Sequence, residues 1–214
     1  MRKEKGFTLI EIVVVLAIIA VLAAFLTPML FDYLKESKVA RAKADVKNIA
    51  AAITNFNRDL GVWAVYKDAP LHADNATVVM LVTEGNDATE GKDSGGTAVG
   101  TYNYTWLTAG GTHEYLKGVL HDGKLALAAG ADTYISAVKK PNEWKGPYMT
   151  DFKADSWGNK YYVSTEGLQP GSGKAVFVLS AGPNGVIQTA VSQNATGGVT
   201  TFTVGEDDIV YRIK

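Results

Sequence analysis

The chain contains no cysteine. That removes disulfide staples, thiolate nucleophiles, iron–sulfur clusters and cysteine-based zinc sites together. It also lacks a surplus of either charge: 21 Lys and Arg stand against 22 Asp and Glu, a net −1 over 214 residues. A nucleic-acid-binding surface shows itself as a basic excess, so no nucleic-acid partner is expected. Helix breakers are missing from one end only. Of six prolines, Pro28 alone precedes residue 61, and of 22 glycines Gly6 alone precedes Gly61. The histidines are few, and His72, His113 and His121 form no metal-ligand spacing. No glycine-rich segment closes on Gly-Lys-Ser/Thr, and no serine stands in G-x-S-x-G. No catalytic set emerges, and the chain is expected not to be an enzyme.

What the first sixty residues do hold is apolar. After the short basic segment Met1–Gly6, the run Phe7–Phe31 has Glu11 as its one charged residue, and Ile12–Phe31 is a stretch of 20 without charge. As a helix, 20 residues cover roughly 30 Å, the thickness of a bilayer's hydrocarbon core. A secretory signal would be shorter and followed by a small-residue cleavage zone. The expectation is a membrane-spanning helix, with Arg2, Lys3 and Lys5 holding the N-terminus in the cytoplasm and the remainder outside. The helical pattern then continues. Val39, Ala42, Val46, Ile49, Ile53, Phe56 and Leu60 recur at alternating steps of three and four, one stripe on a helix, while Lys35, Glu36, Arg41, Lys43 and Lys47 fall off it. Gly61 is the stop signal. One helix over 7–60 is predicted, bent or loosened near Pro28.

From Gly61 the composition changes: 21 glycines and all four tryptophans lie there. Short β-rich runs at Lys160–Thr165, Ala175–Ser180, Val199–Val204 and Asp208–Ile213 are separated by glycine, proline and asparagine turns. They predict a small antiparallel sheet. Thr77–Val82 and Gly123–Val138 read as helical, and 84–100 as a loop. The fold class is therefore α+β: a long N-terminal helix, of which 7–31 spans the membrane, and a head over 61–214.

Glu11 is the odd residue of the apolar run. A carboxylate within a membrane span costs about 3 kcal/mol. Were residues 1–6 removed, Phe7 would open the chain with an α-amine four residues from Glu11. In a bundle of such helices the Glu11 of one subunit can neutralise the amine of a neighbour. Any axial offset leaves a charge unpaired, so the pairing would specify register.

The segment Lys5-Gly6-Phe7-Thr8-Leu9-Ile10-Glu11, with the apolar run and Pro28 behind it, resembles the prepilin leader and N-terminal helix of type IV pilins and pseudopilins. The resemblance implies a type IV pilin-like fold, cleavage by a prepilin peptidase between Gly6 and Phe7, and N-methylation of Phe7. It further implies assembly through Glu11 into a helical filament of identical subunits, with minor pilins or pseudopilins and an inner-membrane assembly platform as partners. Cleavage would remove three basic residues and one acidic, leaving 18 against 21 and a net −3. Like-charged subunits repel weakly, so packing of apolar helices must drive assembly.

Farther along stand Trp144-Lys145-Gly146-Pro147-Tyr148-Met149, Asp155-Ser156-Trp157-Gly158-Asn159-Lys160-Tyr161-Tyr162, Ser180-Ala181-Gly182-Pro183-Asn184-Gly185 and Glu206-Asp207-Asp208-Ile209. Their order is similar to that in the major pseudopilin of type II secretion, whose last two motifs form a calcium site. That implies a Ca²⁺ ion held by Asp207, Asp208, Asn184 and the Ala181 carbonyl. The residue types agree, since calcium takes carboxylate, amide and carbonyl oxygens on loops. Asn184 stands where the family has aspartate and Ser156 where it has proline, and residues 84–140 form an insertion of roughly fifty residues. The implied function is a structural subunit of a secretion pseudopilus. A cell-surface type IV pilin for adhesion, motility or DNA uptake is the alternative, and a membrane-tethered binding or enzymatic head a more distant one.

Overall fold

A computed structural model describes residues 6–61, 63, 80–86, 88–90, 113–122, 144–164, 175–189, 204–205 and 207–213. The chain divides into two compact units, Met1–Ala40 and Arg41–Lys214, and helix α1, Leu9–Leu60, contributes to both. Its start lies two residues inside the predicted boundary because Thr8 caps it: the Glu11 and Ile12 amides reach back to the Thr8 hydroxyl and carbonyl. Its end is where the glycine signal placed it. The Gly61 N–H donates to the Asn57 carbonyl at 2.8 Å, with Gly61 at φ 70°, a left-handed conformation that costs a residue without Cβ little. The helix runs on through Pro28, next to which the Thr27 hydroxyl donates to the Ala23 carbonyl.

In the first unit the apolar side chains of α1 are solvent-exposed from Leu9 to Leu34. In the second, the same helix buries the anticipated stripe: Ala42, Val46, Ile49, Ile53, Phe56 and Leu60. Five of these are large, and at roughly 1.5–3 kcal/mol each their burial contributes on the order of 10 kcal/mol before chain entropy.

The strands are β1 (Met80–Val82), β2 (Thr89–Glu90), β3 (His113–Tyr115), β4 (Tyr161–Ser164), β5 (Phe177–Ser180), β6 (Val186–Ile187) and β7 (Ile209–Arg212), with a short helix α2 at Leu116–Leu120. Five of them form one sheet in the order β3-β1-β4-β5-β7. Pairing is antiparallel from β1 through β7, as predicted, but β3 joins β1 in parallel. β2 and β6 make a second, two-stranded parallel pair. All four residues of β4 and of β5 are buried, so both sheet faces are covered. On one face Tyr162, Phe177 and Leu179 pack with Val82, Ala88 and Ile187. On the other, the Tyr161 hydroxyl donates to Asp45 of α1 at 2.9 Å.

Two expectations are corrected. Met80–Val82, the described end of the segment read as helical, is strand β1, paired on both sides; three apolar residues follow whichever partner the sheet offers. Within 84–100, Thr89–Glu90 is a strand rather than loop. The 84–140 insertion thus supplies β2, β3 and α2. The Gly123–Val138 helix lies outside the described residues, as does all of Val199–Val204 except Val204, which belongs to no strand.

Candidate functional site

Two places in the chain gather the singled-out residues. At the N-terminus, Gly6 and Phe7 precede the helix and are exposed, Phe7 at 84%. Glu11 Oε2 accepts the Thr8 backbone N–H at 2.8 Å and the Thr8 hydroxyl at 2.7 Å. This reciprocal Thr8/Glu11 exchange is a capping box, in which a carboxylate three residues into the helix satisfies an otherwise orphaned amide. The carboxylate is thereby held at the helix N-terminus, where the helix dipole favours negative charge, one turn from the Phe7 amide that cleavage would turn into an amine. Thr8 was not singled out in the sequence, although Thr-x-x-Glu before an apolar run is a legible signal.

The second place lies between the β5–β6 turn and the segment leading into β7. Asp155 is buried and fully bonded: its Oδ1 accepts the Trp157 and Asn159 amides at 2.9 and 2.8 Å, and its Oδ2 the Ser180 hydroxyl at 2.7 Å. The same hydroxyl oxygen accepts the Gly182 N–H at 3.2 Å, so the motif ending in Tyr162 positions the one that begins at Ser180. Gly182 at φ 64° lets the turn touch the C-terminal segment; a Cβ there would sit 2.0 Å from the Asp207 carbonyl oxygen. Asp208 enters from the other side. Its Oδ2 accepts the Gln188 N–H at 2.8 Å and the Thr189 N–H, and the Gly205 N–H donates to the Thr189 hydroxyl at 2.9 Å. Gln188 Oε1 accepts both the Asn184 side-chain amide at 3.3 Å and, more distantly, the Asp207 N–H at 3.5 Å.

The four implied ligands are therefore neighbours through this network. Ala181 is buried in the turn, Asn184 and Asp207 are exposed, and Asp208 is buried. Gln188, Thr189 and Gly205 carry the contact and were not singled out, because only the close approach of the two segments reveals them. Asp208 Oδ1 is buried with no hydrogen-bond partner. Burial pushes the Asp208 carboxyl above the usual carboxylate range, opposed by its bonds from Thr189 and Gln188. A buried carboxylate oxygen without a hydrogen-bond partner is the kind of ligand a hard cation takes. Among the described residues no three Asp, Glu or His side chains converge on one point, so such an ion would depend on amide and backbone oxygens.

A cavity of about 320 Å³ also lies in the second unit, where Arg41 and Asp45 of α1 meet Asp151, Lys153 and Tyr161. Both charge signs line it.

Comparison with known proteins meets this geometry at both ends. Residues 1–27 match the prokaryotic N-terminal methylation motif, and residues 128–196 match type II secretion system (T2SS), protein G. The chain is thus similar to type IV pilins and pseudopilins at its N-terminus and to protein G in the later part of the head. Pilin-like relatives agree. Type II secretion system core protein G of Pseudomonas aeruginosa is 45% identical over 58 residues, 27% of this chain and 41% of that protein. Fimbrial protein EcpC of Eikenella corrodens is 36% identical over 80 residues, 37% of this chain and 47% of its own. The type IV major pilin PilE of Neisseria gonorrhoeae is 37% identical over 60 residues, 28% of this chain and 36% of the pilin. The chain thus spans less than half the length of these relatives. No solved structure matches it significantly. The pilin-like α+β fold and the long apolar helix of the superfamily are what the structure displays.

Proposed function

We propose that the chain is the structural subunit of a type II secretion pseudopilus. The observation that carries this reading is the N-terminal half of α1: apolar, exposed, long enough to cross a membrane, and headed by a carboxylate fixed at its N-terminus. In this reading the subunit waits in the inner membrane with its head in the periplasm, and the prepilin peptidase cuts between Gly6 and Phe7. The Phe7 amine is methylated, and Glu11 of one subunit pairs with the amine of the next as the helices pack into a homopolymer. Minor pseudopilins and the inner-membrane assembly platform are the further partners. The protein G match over residues 128–196 favours secretion over a surface pilin, whose relatives match over comparable lengths. No catalytic role is assigned.

The test is direct. Mass spectrometry of assembled filaments should find a chain that starts at methylated Phe7. Glu11→Ala should leave membrane insertion intact and abolish filaments. Normal filament yield from Glu11→Ala would remove the pairing mechanism.

We further propose that a calcium ion binds between the β5–β6 turn and Asp207–Asp208. Asp208 Oδ1 would be a ligand, with Asp207, Asn184 and the Ala181 carbonyl around it. The ion would supply the charge compensation that the buried carboxylate lacks. At a free concentration a hundredfold above Kd such an ion adds about 2.7 kcal/mol. That should raise the melting temperature of the full chain in detergent by several degrees, and Asp207→Ala should remove the rise. A melt indifferent to both calcium and chelator rejects the ion.

A further inference from the structure

The β5–β6 turn contains Asn184-Gly185, the one Asn-Gly pair in the chain. Asn184 is exposed, and its Oδ1 accepts the Val186 N–H at 2.8 Å. That Asx turn folds the side-chain carbonyl back over the peptide joining Asn184 to Gly185, the peptide whose nitrogen can attack Cγ. The accepted hydrogen bond also draws electron density from Cγ. Gly185 has no side chain to shield its nitrogen, stands at φ 66°, and holds its N–H only by a long 3.3 Å bond to the Gly182 carbonyl. Among the described residues the leaving amide is held by nothing stronger than the 3.3 Å contact to Gln188 Oε1.

We propose that Asn184 is a site of spontaneous deamidation that converts the amide bridge of this turn into a carboxylate. The Gly185 nitrogen attacks Asn184 Cγ and loses its proton, and the Cγ–Nδ2 bond breaks to release ammonia, closing a succinimide. Water then opens the ring at either carbonyl, giving aspartate or isoaspartate. The chemistry needs nothing but solvent and is irreversible. Its physical result follows from the contacts. An amide donor facing Gln188 Oε1 becomes an acceptor facing an acceptor, and the turn gains a negative charge linked through Gln188 to Asp207. Without a cation, the turn and the C-terminal segment are pushed apart; each subunit therefore carries a slow clock on the closure of its own C-terminal clasp. The inference stands whether or not calcium binds there.

The test uses the full chain in detergent micelles with chelator, alongside the free peptide of residues 181–187. Both are held at mildly alkaline pH until the peptide is half converted, then mapped by mass spectrometry with isoaspartate detection. Conversion in the folded chain is expected at residue 184, with Asn48, Asn57, Asn86 and Asn159 intact. Asn184→Gln, whose longer side chain cannot close the five-membered ring, should lose the signal. Asn184→Asp should melt below the wild type in chelator. An intact Asn184 in folded chain, when the free peptide is converted, overturns the proposal, because the turn then protects rather than presents the amide. An Asn184→Asp melting point equal to that of the wild type overturns the weakening of the clasp.

Discussion

At the scale of single residues, small contacts decide what sequence pattern leaves open. Thr8 is an example. Losing its side-chain cap should destabilise the first turn of α1 by about 1 kcal/mol. Thr8→Val keeps the shape and removes the hydroxyl, so amide exchange at Leu9–Ile12 should speed up with the rest of the helix unchanged; equal protection in both proteins would show that the box contributes nothing. Glycine at 182 is a harder constraint. A Cβ there meets the Asp207 carbonyl oxygen and forces a left-handed conformation on a side-chain-bearing residue. Gly182→Ala should lower the stability of the second unit by a few kcal/mol, readable in a denaturant melt, whereas Pro183→Ala beside it should change little. Glu11 and Asp208 were legible as oddities, a carboxylate in an apolar run and a carboxylate pair at a strand. Their partners Thr8, Gln188 and Thr189 carry no pattern strong enough to single them out, except the Thr-x-x-Glu spacing.

At the scale of elements, α1 and the sheet meet at Tyr161. Burial raises the Tyr161 phenol above its ordinary range, and the hydrogen bond to Asp45 adds to the effect. Tyr148, packed edge-on to Phe56 and Trp144, is raised for the same first reason, desolvation. The sign follows from linkage. Both phenols stay neutral in the folded protein where an unfolded chain would ionise them, near pH 10. Their contribution is complete below that pH and falls away as pH climbs toward the folded values. Stability of the full chain should therefore drop from about pH 10 upward, and Tyr161→Phe should flatten the drop; an unchanged slope would mean the phenol is not buried as described. The stripe on α1 makes a plainer prediction. Phe56→Ala removes a fully buried ring that holds Trp144 and Tyr148, and should cost about 3–5 kcal/mol.

At the scale of the whole molecule, the two units obey different solvents. The apolar run of the first unit has no protein partner among the described residues, and the proposed function assigns it lipid or other copies of itself. Ile19→Arg, near mid-span, should make insertion less favourable by about 3 kcal/mol, measured as the fraction of chain resisting alkaline extraction from membranes. In the second unit the helix segment and the sheet bury one another. Hydrogen bonds tie its C-terminal end together: Asp208 accepts from Gln188 and Thr189 just after β6, and Asp155 from Ser180 at the end of β5.

The sequence by itself determined the long helix, its stop at Gly61 and the strands β4, β5 and β7. Each rests on local physics: periodicity, breakers and runs of apolar residues that need no distant partner to be read. It also carried the resemblance to type IV pilins and pseudopilins, through the Gly6-Phe7 to Glu11 segment that the N-terminal methylation motif matches. The tertiary structure decided the rest. Met80–Val82 became a strand because β3 and β4 offered hydrogen-bonding edges on both sides, and the parallel β3–β1 pairing joins residues more than thirty apart. The calcium candidates became neighbours only when two loops distant in sequence approached to backbone contact at Gly182. Long-range pairing leaves no local trace, because its free energy is realised only once the chain between the partners has closed.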